Sequence, residues 1–270
     1  MVAPFFFGSP DRPLAGVLHR KSGGDSSTAP ALVMVPPLLQ DGIASHRCLW
    51  WLAEKLAAEG GIVLRFDAYA TGDSTGDSVE MSLEGLRDDT LTALAWMQAQ
   101  GNVGKVRQLA FRSASIPALQ GASLAVSPVD LVLWDPVMDG SVLASEWKAQ
   151  HVRQLTQAGR YPFQPAAPEA CDLLGFELAP EFLPALADFD AASCVLPAGS
   201  RLRIALWQAD PTVDEFVQEQ QQSGLDVDVW MLDAPDRPDW DDALKYEDQV
   251  FPRRSTMLMA GLLKEQSTWA

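Results

Sequence analysis

Leu64-Arg65-Phe66-Asp67-Ala68-Tyr69-Ala70-Thr71-Gly72-Asp73-Ser74-Thr75-Gly76 sets the architecture of this chain. Its apolar start completes a strand over 62–66, and its polar, Gly-rich remainder begins a loop that runs to Ser78. The pattern alternates outward on both sides. Upstream, Leu49, Leu52, Leu56 and Ala57 recur at helical spacing over 45–59, and Gly60-Gly61 stops that helix. Before it, Ala31 to Val35 is a continuous apolar run, as in a strand buried on both faces, and Pro36-Pro37 ends it. Downstream, 82–100 reads as a helix whose acidic start (Glu84, Asp88, Asp89) suits the helix dipole. A strand over 106–111, a helix over 116–125 with Pro117 in its first turn, and a strand over 131–134 follow.

At the N-terminus, Pro4 to Gly8 and Leu14 to His19 flank a turn, Ser9-Pro10-Asp11-Arg12-Pro13, and form a hairpin. The expected fold class is α/β, a mostly parallel doubly wound sheet with an N-terminal antiparallel hairpin. After Val142 the alternation stops. Residues 141–194 read as a helical cap or lid inserted over the C-terminal edge of the sheet, where open α/β sheets bind ligands. Residues 1–140 and 195–270 form the core, with further strands over 202–207 and 227–232 and a last helix over 254–264.

Composition narrows the function. The 270 residues carry 36 acidic against 20 basic side chains, a formal charge of −16. Such a balance disfavours a phosphate-backbone surface and anionic lipid, so neither nucleic acid nor membrane is an expected partner. Three cysteines, Cys48, Cys171 and Cys194, are odd in number and lack metal-ligand spacing, which fits a reduced, cytoplasmic chain. The start has no basic segment or long apolar core, so no secretory signal is expected. No cofactor is expected, since dinucleotide and Walker glycine patterns are absent. Nor is a metal, since Asp233, Asp236, Asp239, Asp241 and Asp242 lack the offsets of a calcium loop.

The opening stretch resembles a signature of the α/β-hydrolase superfamily, an Asp followed by a Gly-rich turn ending in Ser-x-Gly. The resemblance spans nearly the whole chain and implies that Asp67 and Ser74 cap the turn. It also implies that Pro36-Pro37-Leu38 occupies the place of the oxyanion-hole loop, so Pro37 and Leu38 are candidate ligand-binding residues. Within the superfamily the chain is most similar to the group called exosortase A system-associated hydrolase, type 2. Gly72-Asp73-Ser74-Thr75-Gly76-Asp77, Ala95-Trp96, Leu133-Trp134-Asp135-Pro136-Val137 with Gly140, and Leu174-Gly175-Phe176-Glu177-Leu178 carry that similarity. It implies a role alongside exopolysaccharide production in a bacterium.

The chemistry departs from the superfamily at the nucleophile. The expected G-x-S-x-G is here Ala110-Phe111-Arg112-Ser113-Ala114. A guanidinium stays protonated and is no nucleophile. Asp210, in Trp207-Gln208-Ala209-Asp210-Pro211, matches the place of the triad acid and equally suits a helix or turn cap. The histidines are His19, His46 and His151, and none follows the last strand, where the triad base belongs. They read as surface or helix-end residues. A shifted catalytic set would use Ser113 with His151 or His46 and with Asp210 or Asp135. Ser113 otherwise reads as a helix cap.

Two roles remain open for Arg112. Its planar fork beside a helix start suits a carboxylate or phosphate, which would make it the ligand-binding group for an acidic or acylated small molecule. Alternatively it pairs internally with Asp210, Asp135 or Asp41. Among nine tryptophans, Trp50, Trp51, Trp147 and Trp240 are candidates to line a cleft, with Trp240 the foremost ligand-facing one. Trp96, Trp134, Trp207 and Trp230 read as core. The expectation is a non-catalytic or unconventional member of the fold that binds an acidic or acyl ligand or a protein partner. The alternatives are an ester or thioester hydrolase working through Ser113, and a scaffold closed by ion pairs of Arg112.

Overall fold

A computed structural model describes residues 2–21, 29–101, 103–156, 172–238, 240 and 251–265. Cys171 and the Asp239, Asp241 and Asp242 run lie outside the described residues. The N-terminal hairpin is present as β1 (Val2–Ser9) and β2 (Arg12–His19). Then come β3 (Ala29–Val35), α1 (Leu39–Ala58), β4 (Ile62–Phe66), α2 (Leu83–Gln98), β5 (Val103–Phe111), α3 (Ser115–Ser123) and β6 (Asp130–Trp134). The segment before the next sheet strand holds α4 (Gly140–Thr156), β7 (Asp172–Leu173), β8 (Phe176–Glu177) and α5 (Phe182–Ala187). The chain closes with β9 (Arg201–Leu206), α6 (Pro211–Gln222), β10 (Asp226–Met231) and α7 (Arg253–Glu265).

The eight-stranded sheet runs β1-β2-β4-β3-β5-β6-β9-β10. β1, β2 and β4 pair antiparallel, and every pairing from β4 to β10 is parallel. Period-two alternation divides the core between the two faces. Leu109, Phe111, Val132 and Trp134 pack with Leu52 of α1 and Met259 of α7. Ala110, Leu131 and Leu133 pack with Ile116 of α3, Phe216 of α6, Trp147 of α4 and Phe182 and Leu186 of α5. A third cluster joins Phe7 and Leu14 of the hairpin to Ala93 and Met97 of α2.

The Asp-Gly turn does the fastening that its sequence implies. Asp67 Oδ2 accepts the Asp73 N–H at 2.9 Å. The Ser74 hydroxyl donates to the Asp67 carbonyl at 2.6 Å and accepts the Ala15 N–H at 2.8 Å, which ties the turn to β2. Gly72 has φ +53°, and a Cβ there would lie 2.3 Å from Asp67 Oδ2. Only glycine fits.

Several local readings are corrected. α1 begins at Leu39 rather than Ser45, because the chain turns through φ +46° at Leu39 without a side-chain cap to announce it. Residues 211–222, unassigned above, form α6, with Asp210 as its cap and Pro211 in its first turn. The cap segment carries a short two-stranded hairpin besides its helices. Trp147 is buried in the core. His19, read as a surface residue, is fully buried against Glu54.

Candidate functional site

Positive φ falls on one residue at or just after the C-terminal end of each of four parallel strands. These are Leu39 after β3, Ala70 after β4, Arg112 after β5 and Asp135 after β6. Such backbone is strained for non-glycine residues and tends to gather where a fold builds its site. β5 delivers Arg112 at φ +51°, and a 3₁₀ turn over Arg112–Ala114 leads straight into α3. This is a strand-to-helix elbow with arginine at its tip. Ala110 and Ala114 are both fully buried beside it.

The Arg112 side chain is only 11% exposed. Asp41 Oδ2 lies 3.6 Å from Nε, Asp135 Oδ2 3.8 Å from Nη1, and Glu146 Oε2 3.4 Å from Nη2. The Trp240 ring stacks over the guanidinium at 4.5 Å, and its indole N–H donates to Asp135 Oδ2 at 3.1 Å. Burial works against the charge on Arg112, yet Asp41, Asp135 and Glu146 outweigh it and hold the guanidinium above its ordinary value. Burial pushes the Asp135 carboxyl up, against the pull of Arg112, Arg237 and the Trp240 N–H. The two directions agree physically, since three carboxylates share one guanidinium and each receives part of its field. An incoming anion would meet those three carboxylates, so the elbow is poorly suited to an acidic ligand. Arg112 is instead the cation that lets Asp41 and Asp135 be buried.

In this type of elbow the oxyanion donors are the N–H after the nucleophile position and an N–H from the loop after the third strand. Both are engaged. The Ser113 N–H points to Asp41 Oδ2 at 3.3 Å. Pro36 and Pro37 carry no N–H, and the next, on Leu38, donates to Ser113 Oγ at 2.9 Å. Ser113 is fully buried in that role. Ser115 Oγ bonds both backbone groups of Val137, at 3.0 and 3.1 Å, and pins α3 to the loop after β6.

No hydrogen bond joins Ser113 to an imidazole or to Asp210 among the described residues. Asp210 Oδ1 accepts the Thr212 N–H at 2.9 Å and caps α6. His151 is buried in α4, where Nδ1 accepts the Leu174 N–H at 3.0 Å. His46 stands on the exposed side of α1, with Nδ1 3.2 Å from Arg65 Nη2. Of the predicted residues, the structure gathers Arg112, Asp135 and Trp240 at the elbow and sets Leu38 against Ser113. Pro37 lines a neighbouring cleft with His46 and Arg65. The sequence offers Asp41 among the partners of Arg112 but marks neither Glu146 nor the place of Arg65. Glu146 is an ordinary surface-type residue of a helix in the sequence. Arg65 had a signal, as the sole charge in the apolar run of β4.

Among the described residues no cluster of His, Cys, Asp and Glu is placed to hold a metal ion. Nor is any helix there long and apolar enough to cross a membrane. No protein-family model matches the sequence. No curated protein matches it either. Solved structures do. Est1E from Butyrivibrio proteoclasticus, seen with ferulic acid bound, superposes with a TM-score of 0.66 at 13% identity over 98% of both chains. An esterase from Pyrococcus furiosus does so with a TM-score of 0.60 at 16% identity, over 98% of this chain and 92% of that one. The alpha/beta hydrolase GrgF from a Penicillium species gives 0.54 at 14% identity, over 85% of this chain and 90% of that one. The strand order, the N-terminal hairpin, the elbow after β5 and these neighbours together show that the chain has the α/β-hydrolase fold.

Proposed function

We propose that this chain is a non-hydrolytic member of its fold that binds a small molecule between the sheet edge and the cap. The observation that carries this reading is the engagement of both oxyanion donors, Leu38 N–H by Ser113 Oγ and Ser113 N–H by Asp41. A tetrahedral intermediate needs such donors free and aimed at it, and losing one alone costs about a hundredfold or more in rate. Arginine at the elbow tip and the absence of an imidazole bonded to Ser113 among the described residues support the same conclusion. Ligand binding is supported by an open cleft at the C-terminal sheet edge, the general ligand position in open α/β sheets. The similarity of Gly72 to Asp77 and of Leu133 to Val137 to the exosortase-associated group supports a role alongside exopolysaccharide production. The free thiols of Cys48 and Cys194 support a reducing, cytoplasmic setting.

The test is turnover of p-nitrophenyl acetate and butyrate between pH 6 and 9 (roughly the range in which a histidine base acts), beside an active esterase. No rate above buffer is expected. Saturable turnover lost in Ser113→Ala would contradict the reading.

A further inference from the structure

The cleft beside the elbow has a volume of about 370 Å³, within the range of small-molecule sites. Its floor is the C-terminal ends of β3 and β4, its sides are the turns after each, and Phe176 of the cap hairpin borders it. Arg65 projects into this largely apolar space from β4. Its one hydrogen-bond partner among the described residues is His46 Nδ1 at 3.2 Å, and none of their carboxylates lies within ion-pair distance. Other arginines of the sheet are answered by acids. Arg107 reaches Asp130 at 2.8 Å, Arg203 reaches Asp226 at 2.7 Å, and Arg12 reaches Asp89 at 3.0 Å. In a chain with sixteen excess negative charges, a guanidinium left without a carboxylate is conspicuous.

Burial depresses Arg65 below its ordinary value, against the opposing fields of Asp67 and Glu54. Burial and Arg65 likewise lower His46. An imidazole that accepts at Nδ1 carries its proton on Nε2, so His46 has a donor to offer. Asp67, also on the lining, turns Oδ2 toward the Asp73 N–H. Its charge offsets part of the Arg65 field and makes a dianion less suited than a monoanion.

We propose that this cleft binds a small amphiphilic monocarboxylate. Its carboxylate rests on the Arg65 guanidinium and the His46 Nε2–H, and its apolar body lies against Met34, Val35, Leu39, Ile43, Leu49 and Phe176. Arginine forks match carboxylates in two parallel bonds, and the surrounding apolar wall strengthens them. This rests on the ligand-binding reading above and names the ligand class and its place.

The experiment is calorimetric titration of the full chain with octanoate, 1-octanol and octylamine at neutral pH. Octanoate is expected to saturate and to bind at least about tenfold tighter than either uncharged or cationic analogue. Arg65→Met is expected to weaken octanoate about tenfold or more, and His46→Ala about threefold. His46 is exposed, so its variant carries the test if Arg65→Met does not fold. Absence of saturable octanoate binding, equal affinity for 1-octanol, or unchanged affinity in both variants would overturn the proposal. Ester turnover through Ser113 would remove the non-hydrolytic reading whether or not octanoate binds. Failure of octanoate in a chain without turnover removes this inference alone.

Discussion

Arg112 holds φ +51° with its guanidinium 11% exposed, so backbone and charge both work against folding unless neighbours answer them. Asp41, Asp135, Glu146 and Trp240 do so, and Asp41 also takes the Ser113 N–H. Ser113 Oγ in turn accepts the Leu38 N–H. Ser113→Ala leaves the Leu38 N–H without an acceptor in a buried place, and urea melts are expected to show a loss of about 1–2 kcal/mol. Asp135 gives a pH signature. Its carboxyl titrates above the usual range, so the native state keeps that proton longer than the unfolded chain does. The associated stability is present below the ordinary carboxylate value and is lost as pH rises through the raised one. Denaturation midpoints followed across that window should fall with rising pH in the wild type, and the fall should be reduced in Asp135→Asn. Sequence alone placed arginine at the elbow and offered Asp41, Asp135 and Asp210 as its partners. It could not separate them, because that choice depends on where α1 begins and on which loop Asp210 caps.

At the scale of elements, the strands were the most legible part. Runs such as Ala31 to Val35 and Leu131 to Trp134 are buried on both faces and carry no polar interruption. Helix starts were harder. α2 has Ser82, whose hydroxyl accepts the Gly85 N–H at 3.1 Å, and its start was read to within one residue. α1 has no such cap, and nothing in the sequence marks its first residues, 39–44, as helix. Asp210-Pro211 is a strong start signal, yet the sequence offers Asp210 equally as a triad acid and as a cap, and α6 itself goes unmarked. In the cap, α4 opens at Gly140, where a Cβ would lie 1.8 Å from the Leu186 carbonyl oxygen of α5. Backbone cannot yield there as a side chain tip would. Gly140→Ala is expected to cost about 3 kcal/mol and to lower the midpoint of thermal unfolding, with the cap helices displaced.

For the molecule as a whole, the fold is specified independently of the residue at the elbow tip. The alternation of strands and helices, the hairpin and the Asp-Gly turn specify a doubly wound sheet, and they do so whatever stands at the elbow. Esterase-like neighbours at 12–16% identity share that frame. The strain that the fold concentrates at its C-terminal edge is still here, at Leu39, Ala70, Arg112 and Asp135. Side chains of the protein itself engage the donors that would hold an oxyanion, and the cation without an ion-paired carboxylate sits two strands away across the sheet, on β4. The sequence marks Arg65 only as the sole charge in the apolar run of β4, because its lack of an ion-paired carboxylate exists only in three dimensions.

The most direct test of the non-hydrolytic elbow is intact-mass spectrometry after exposure to a fluorophosphonate, on wild type and Ser113→Ala, with an active serine hydrolase treated alongside. The account predicts no mass shift in either form while the control is fully labelled. A single adduct on the wild type that disappears in Ser113→Ala would mean that Ser113 is a live nucleophile and would contradict it.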